Sequence, residues 1–106
     1  MILEDYVARM NAKDAKGISA LFAEDCKFSD GGGRPFGYPD INVDGREGVY
    51  NLFEGILTEN DVKATVVKLN PSSMEYDVDF SGTIMPCIGM ATVKDGLITE
   101  YIVRPR

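Results

Sequence analysis

The chain has 106 residues, 44% of them hydrophobic, and carries 17 acidic against 11 basic side chains for a formal charge of −6. That length and apolar fraction suit one domain spanning residues 1–106, since two independent domains would each be too small to bury a core without disulfides or metal. The acidic balance disfavours phosphate backbones and anionic lipid, so neither nucleic-acid nor membrane binding is expected.

There is no histidine, which removes the usual general base, the usual zinc ligand and every His-activated nucleophile. The two cysteines, Cys26 and Cys87, belong to no CxxC pair. They read as small buried hydrophobes with free thiols, consistent with a reducing, cytoplasmic setting, and nothing calls for a metal or a cofactor. The segment Met1–Asp5 lacks the basic and apolar stretches of a signal peptide.

In chain order, Ile2, Leu3, Tyr6, Val7 and Met10 mark one face of an amphipathic helix over about Ile2 to Ala12. Asp14 is placed to cap a shorter helix carrying Ile18, Leu21 and Phe22, ended by Glu24-Asp25. Cys26 to Asp30 alternates as a short strand, with Cys26, Phe28 and Asp30 on one face. Residues 31–43 read as a loop. Its three glycines lack the lysine and spacing of a phosphate-binding loop, and Phe36 and Tyr38 could fold over an opening. Asp44 and Glu47 suggest a capping box for a third helix with Val49, Leu52, Phe53, Ile56 and Leu57 inward.

From Val62 the period changes from 3.6 to 2. Val62 to Leu69, Met74 to Phe80, Thr83 to Val93 and Leu97 to Val103 read as four strands joined by short turns. Asp77 and Asp79 alternate away from the apolar face, onto a solvated one. Helices in the first half and strands in the second indicate an α+β domain: a curved antiparallel sheet with three helices across its concave face, enclosing a cone-shaped cavity. Met85, Cys87, Gly89 and Ala91 share one strand face and would give that cavity an apolar wall.

The order of elements, with the run Ile18 to Asp30 and then Asp44-Gly45-Arg46-Glu47-Gly48-Val49, resembles the nuclear transport factor 2-like (NTF2-like), or cystatin-like α+β, superfamily. More narrowly it resembles the SnoaL-like and ketosteroid isomerase branch. The resemblance implies a general-base aspartate at the end of the first strand, where Asp30 stands, and an oxyanion-hole tyrosine in the first helix, where Tyr6 stands. It also implies departures. The second oxyanion acid falls at about Gly89, and two tyrosines that support the catalytic one fall at Phe22 and Phe53. The loop after Asp30 is longer, and the late-strand acid of SnoaL-type cyclases has no equivalent in Gly89 to Val93.

Two readings follow. In one, Asp30 abstracts a proton next to a carbonyl while Tyr6 donates to the developing enolate, in a pocket of Phe22, Phe28, Phe53, Met85, Cys87 and Gly89 around a small apolar or carbonyl-containing molecule. In the other, Asp30 is a turn residue before Gly31, Tyr6 is a core aromatic, and the protein is a non-catalytic small-molecule-binding module. Either way a homodimer is expected through the outer sheet face, from apolar residues such as Val67, Leu69 and either Leu97 and Tyr101 or Ile98 and Ile102.

Overall fold

Helix α1 (Ile2–Asn11) buries Leu3, Tyr6, Val7 and Met10, the stripe its apolar spacing dictates. The computed structural model describes all 106 residues. The chain leaves α1 through Lys13, whose φ is 57°, and Asp14 then caps α2 (Ala15–Ser19) by accepting a hydrogen bond from Gly17 N–H at 2.8 Å. This helix is shorter than its apolar spacing suggests. Phe22 already belongs to strand β1 (Phe22–Asp30), because Leu21 C=O accepts from Ile98 N–H and Phe22 pairs with Ile98. Glu24 and Asp25 lie within that strand, at an irregularity between Phe22 and Lys27.

Part of the segment expected to be loop is a strand. Residues Arg34–Phe36 form a 3-10 turn, and β2 (Ile41–Asp44) then pairs antiparallel with β1, Asp30 opposite Ile41 and Phe28 opposite Val43. Helix α3 (Gly45–Glu59) follows at once and buries Val49, Phe53 and Leu57. The capping box is not formed. As the last residue of β2, Asp44 lies opposite Lys27 and reaches its ammonium at 3.4 Å rather than turning back to the helix.

The remaining strands are β3 (Val62–Leu69), β4 (Ser73–Phe80), β5 (Thr83–Lys94) and β6 (Leu97–Pro105). The six form one curved, unclosed sheet in the order β2-β1-β6-β5-β4-β3. The sheet is not wholly antiparallel. β1 runs parallel to β6, Phe28 beside Tyr101 and Asp30 beside Val103, which closes the helical half of the chain onto the stranded half. Tyr6, Phe22, Phe28, Phe53 and Tyr101 meet between helices and sheet with ring centroids 4.9–6.4 Å apart, mostly edge to face. Each such pair contributes about 0.5–1.5 kcal/mol beyond its buried area.

The outer sheet face differs from expectation in its residues. Ile98 and Tyr101 are buried inside and Leu69 packs on the core, while Val67 stands exposed at a bulge. Alternation from buried Met85 and Cys87 turns Ile84, Pro86, Ile88 and Met90 outward, with Ile102 beside Met90. No helix is long and apolar enough to cross a membrane.

The β3 edge is partly covered by a side chain. Asn11 Nδ2 donates to Ala64 C=O at 2.8 Å, and Asn11 Oδ1 accepts from Ala64 N–H at 2.7 Å, so the amide acts as a one-residue strand. Asn11→Ala should therefore cost about 1–3 kcal/mol, the penalty for orphaned backbone groups. Urea unfolding checks the loss, and the Ala64 amide should exchange with solvent faster in the variant.

Candidate functional site

One apolar cavity of about 290 Å³ opens between α1, α3 and the concave face of the sheet. Each element supplies part of the wall because its inward-facing residues converge there. α1 brings Tyr6 and Met10, α3 brings Phe53 and Ile56, and β4 and β5 bring Tyr76, Val78, Phe80, Met85 and Cys87. Asp30, at the end of β1, is the only charged residue of the lining.

Tyr6, Asp30, Phe53, Met85 and Cys87 thus meet in one cavity. Phe22 and Phe28 do not line it. They form the aromatic layer beneath, in edge contact with Tyr6 and with Phe53 respectively. Gly89 does not line it either, because the space a side chain would occupy there is filled by the Tyr101 hydroxyl.

Asp30 combines two of its expected placements, turn and cavity wall. Its Oδ1 accepts from Gly32 N–H at 2.8 Å, as an aspartate starting a turn does, yet the carboxylate still borders the cavity. The glycine is required: a Cβ on Gly32 would lie 2.7 Å from Cys87 Sγ and 3.1 Å from Asp30 Oδ1. Its missing side chain lets the loop close against the site. Farther along, the Arg34 guanidinium holds Asp40 with two hydrogen bonds, and Tyr38 packs on Phe80 at the cavity wall with centroids 6.0 Å apart. Phe36 stays exposed, away from the opening.

Burial raises the pKa of Asp30 above the ordinary carboxylate range; the Gly32 N–H and the charge of Arg104 work against the rise. The phenols of Tyr6, Tyr76 and Tyr101 are all pushed up, chiefly by burial, so they stay protonated beside the carboxylate. The Cys87 thiol is pushed up to about 12 by burial and by Asp30, which makes it a poor nucleophile at neutral pH.

The Tyr6 hydroxyl meets no hydrogen-bonding group of the protein, although the residue is only 1% exposed. No buried polar side-chain atom is both sealed off and unpaired, so this hydroxyl keeps an open side, and the space it adjoins is the cavity. Sequence reasoning missed Tyr76 and Tyr101, whose hydroxyls lie 3.2 Å apart in the interior. The one signal of them was a glycine on an otherwise apolar strand face, and only the β5–β6 register reveals what fills its place.

The SnoaL-like domain family model matches residues 3–101. The chain belongs to the SnoaL-like family. A search of curated proteins finds no match. Among solved structures, a candidate ketosteroid isomerase from Kribbella flavida superposes with a TM-score of 0.75 at 17% identity, over 96% of this chain and 73% of that one. A candidate polyketide cyclase from Sinorhizobium meliloti gives 0.77 at 16% identity, over 97% and 93%. A protein of ketosteroid isomerase-like fold from Catenulispora acidiphila, in complex with trimethylamine, gives 0.76 at 18% identity, over 97% and 83%. At these identities the SnoaL-like chain shares a fold with each.

Folded Asp30 binds its proton more tightly than unfolded Asp30 does. Its contribution to stability is therefore full below the ordinary carboxylate pKa and is lost as pH rises through the raised value. Asparagine can still accept from Gly32 N–H and never charges. Asp30→Asn should raise the urea midpoint at neutral pH, and the advantage should vanish below about pH 4. Equal midpoints at neutral pH would mean that the charge carries no burial penalty.

Proposed function

We propose that this SnoaL-like protein catalyses proton abstraction next to a carbonyl, as an isomerase-type enzyme acting on a small cyclic or polycyclic ketone. The observation that carries this reading is the pairing of Asp30 with the free Tyr6 hydroxyl on one apolar cavity. The Asp30 carboxylate takes the proton from the carbon beside the carbonyl. The C–H electron pair becomes the enolate, with its charge on the carbonyl oxygen, and Tyr6 O–H donates to that oxygen. Return of the proton from Asp30 to the far carbon of a β,γ-unsaturated ketone collapses the enolate to the conjugated isomer and restores the carboxylate. A raised pKa suits Asp30 to this exchange, and the apolar walls strengthen the hydrogen bond to the enolate. At about 290 Å³ the cavity is at the lower end for ligand pockets, which favours one or two fused rings, or one end of a larger skeleton.

The alternative is a binding module without turnover, and the Gly32 N–H bond that occupies Asp30 Oδ1 favours it. The protein of ketosteroid isomerase-like fold holding trimethylamine is an example of a small molecule bound on this fold. One substitution separates the readings. Asp30→Asn should lower turnover of a β,γ-unsaturated ketone by roughly 10²–10⁴-fold while leaving ligand affinity within a few-fold. Equal loss of both would assign Asp30 to structure, and absence of turnover across a ketone panel in the unmodified protein would favour the binding module.

The whole chain, residues 1–106, acts as one domain, since helices and strands share a single core. A cytoplasmic setting suits its two free, buried thiols. The partner we assign it is a second copy. Ile84, Pro86, Ile88, Met90 and Ile102 form an apolar stripe on the outer sheet face, and contiguous apolar surface of this kind marks an association site. Light scattering at micromolar concentration should give twice the 11.6 kDa of one chain. Ile88→Lys, in mid-stripe, should return it to one; a monomer in the unmodified protein would refute the dimer.

A further inference from the structure

The resemblance leaves the site short of one donor, because glycine occupies the position of the second acid. Gly89 is nevertheless not a gap. Tyr101 on β6 lies opposite Ala91 on β5, and its ring leans along β5 over Gly89. A Cβ on Gly89 would overlap the Tyr101 hydroxyl. The glycine therefore lets a β6 phenol cross β5 and reach β4, where Tyr101 Oη donates to Tyr76 Oη at 3.2 Å. Both residues are almost completely buried. Tyr76 lines the cavity and Tyr101 does not.

A phenol oxygen that accepts a hydrogen bond still has its own proton to give. Tyr76 makes no donated bond to any protein group, and the residue borders the same cavity as Tyr6 and Asp30. We propose that Tyr76 is the second donor to the enolate oxygen, with Tyr101 behind it as a positioning residue and Gly89 as the opening that admits the Tyr101 hydroxyl. This rests on the reading of the cavity as an enolate site. Two phenol protons, from α1 and from β4, then meet one oxygen, while Asp30 works from the β1 side. The Tyr101-to-Tyr76 bond polarises the Tyr76 O–H and strengthens what it donates, as chains of hydrogen bonds do. Its side chain also holds the Tyr76 ring in place. The arrangement supplies with two neutral phenols what the resemblance assigns to one phenol and one carboxylic acid.

The test uses 4-nitrophenol, whose ionised oxygen stands in for the enolate oxygen and whose visible absorbance reports the phenolate directly. The background is Asp30→Asn, so that no carboxylate repels the anion. Tyr6→Phe and Tyr76→Phe should each weaken nitrophenolate binding by roughly tenfold to a hundredfold, the worth of a hydrogen bond to a charged group. Tyr101→Phe should weaken it several-fold and shift bound probe toward the neutral phenol, which a purely structural role would not do. If Tyr6→Phe weakens binding and Tyr76→Phe does not, the proposal fails and the enolate-site reading stands. If the background protein binds no nitrophenolate, or neither substitution matters, both fail. Carbon-13 labelling at tyrosine Cζ provides the same decision without removing any hydroxyl. On adding nitrophenolate, the Tyr76 signal should move together with that of Tyr6; movement of Tyr6 alone overturns the proposal.

Discussion

The parallel pairing of β1 with β6 is the contact on which the rest of the molecule depends. The first half of the chain carries all three helices and has only two strands of its own, β1 and the four-residue β2, too few to bury its apolar faces. Docking β1 beside β6 sets Phe28 against Tyr101 and Asp30 against Val103, and Gly31 N–H extends the ladder by donating to Val103 C=O at 2.8 Å. That register brings α1 and α3 over the sheet and places a carboxylate from one half beside phenols from the other. A one-residue slip would turn Phe28 and Asp30 to the outer face and bring Ser29 inward.

The same register explains why the cavity is electrostatically expensive. A carboxylate and three phenols share an interior with little charge to balance them. Arg104 acts on Asp30 only at long range, and its own nearest partners are Ser29 and the Val103 carbonyl. The two ion pairs of Arg106, with Glu75 and Asp77, lie on the opposite face of the sheet. The Gly32 N–H is thus the one direct stabiliser of the Asp30 charge. A structural core would gain by replacing these polar groups with hydrophobes. The convergence of Asp30, Tyr6 and Tyr76 on one cavity, with Tyr101 behind them, is the pattern of a functional site, where a stability cost is accepted to hold polar groups in an apolar interior.

Much of the fold was legible in the sequence because it is written in local periodicity. The stripe of α1, the inward face of α3 and the alternation of β4 each follow from spacing alone. What stayed hidden was set by partners distant in the chain. Ile18, Leu21 and Phe22 fit a helical period, and only pairing with Ile98 draws Phe22 into β1. β2 has four residues, too few for a pattern, and exists because β1 offers it an edge. Asp44 has the composition of a helix cap, but a strand ending at that residue directs its side chain across to Lys27. For the site, Asp30 and Tyr6 were accessible through strand phase and helix phase together with the family resemblance. Tyr76 and Tyr101 were not, since a hydroxyl pair 25 residues apart in sequence is a matter of register.

Gly89 shows how a departure from a family pattern can be read as chemistry. By position alone it looks like the loss of a donor. In three dimensions the small side on β5 and the long phenol on β6 are two halves of one choice, because the space beside Tyr76 holds one group. A carboxylic acid growing from residue 89 and a hydroxyl arriving from residue 101 cannot both occupy it. A chain that keeps Tyr101 must keep position 89 empty, and a chain that places an acid there must withdraw the aromatic from β6. The neutral solution also has an electrostatic logic. A second acid so close to Asp30 would have to stay protonated to donate, and any ionisation would set two like charges against each other in an apolar interior. A phenol whose proton burial holds in place avoids that conflict, leaving Asp30 as the single carboxylate of the cavity.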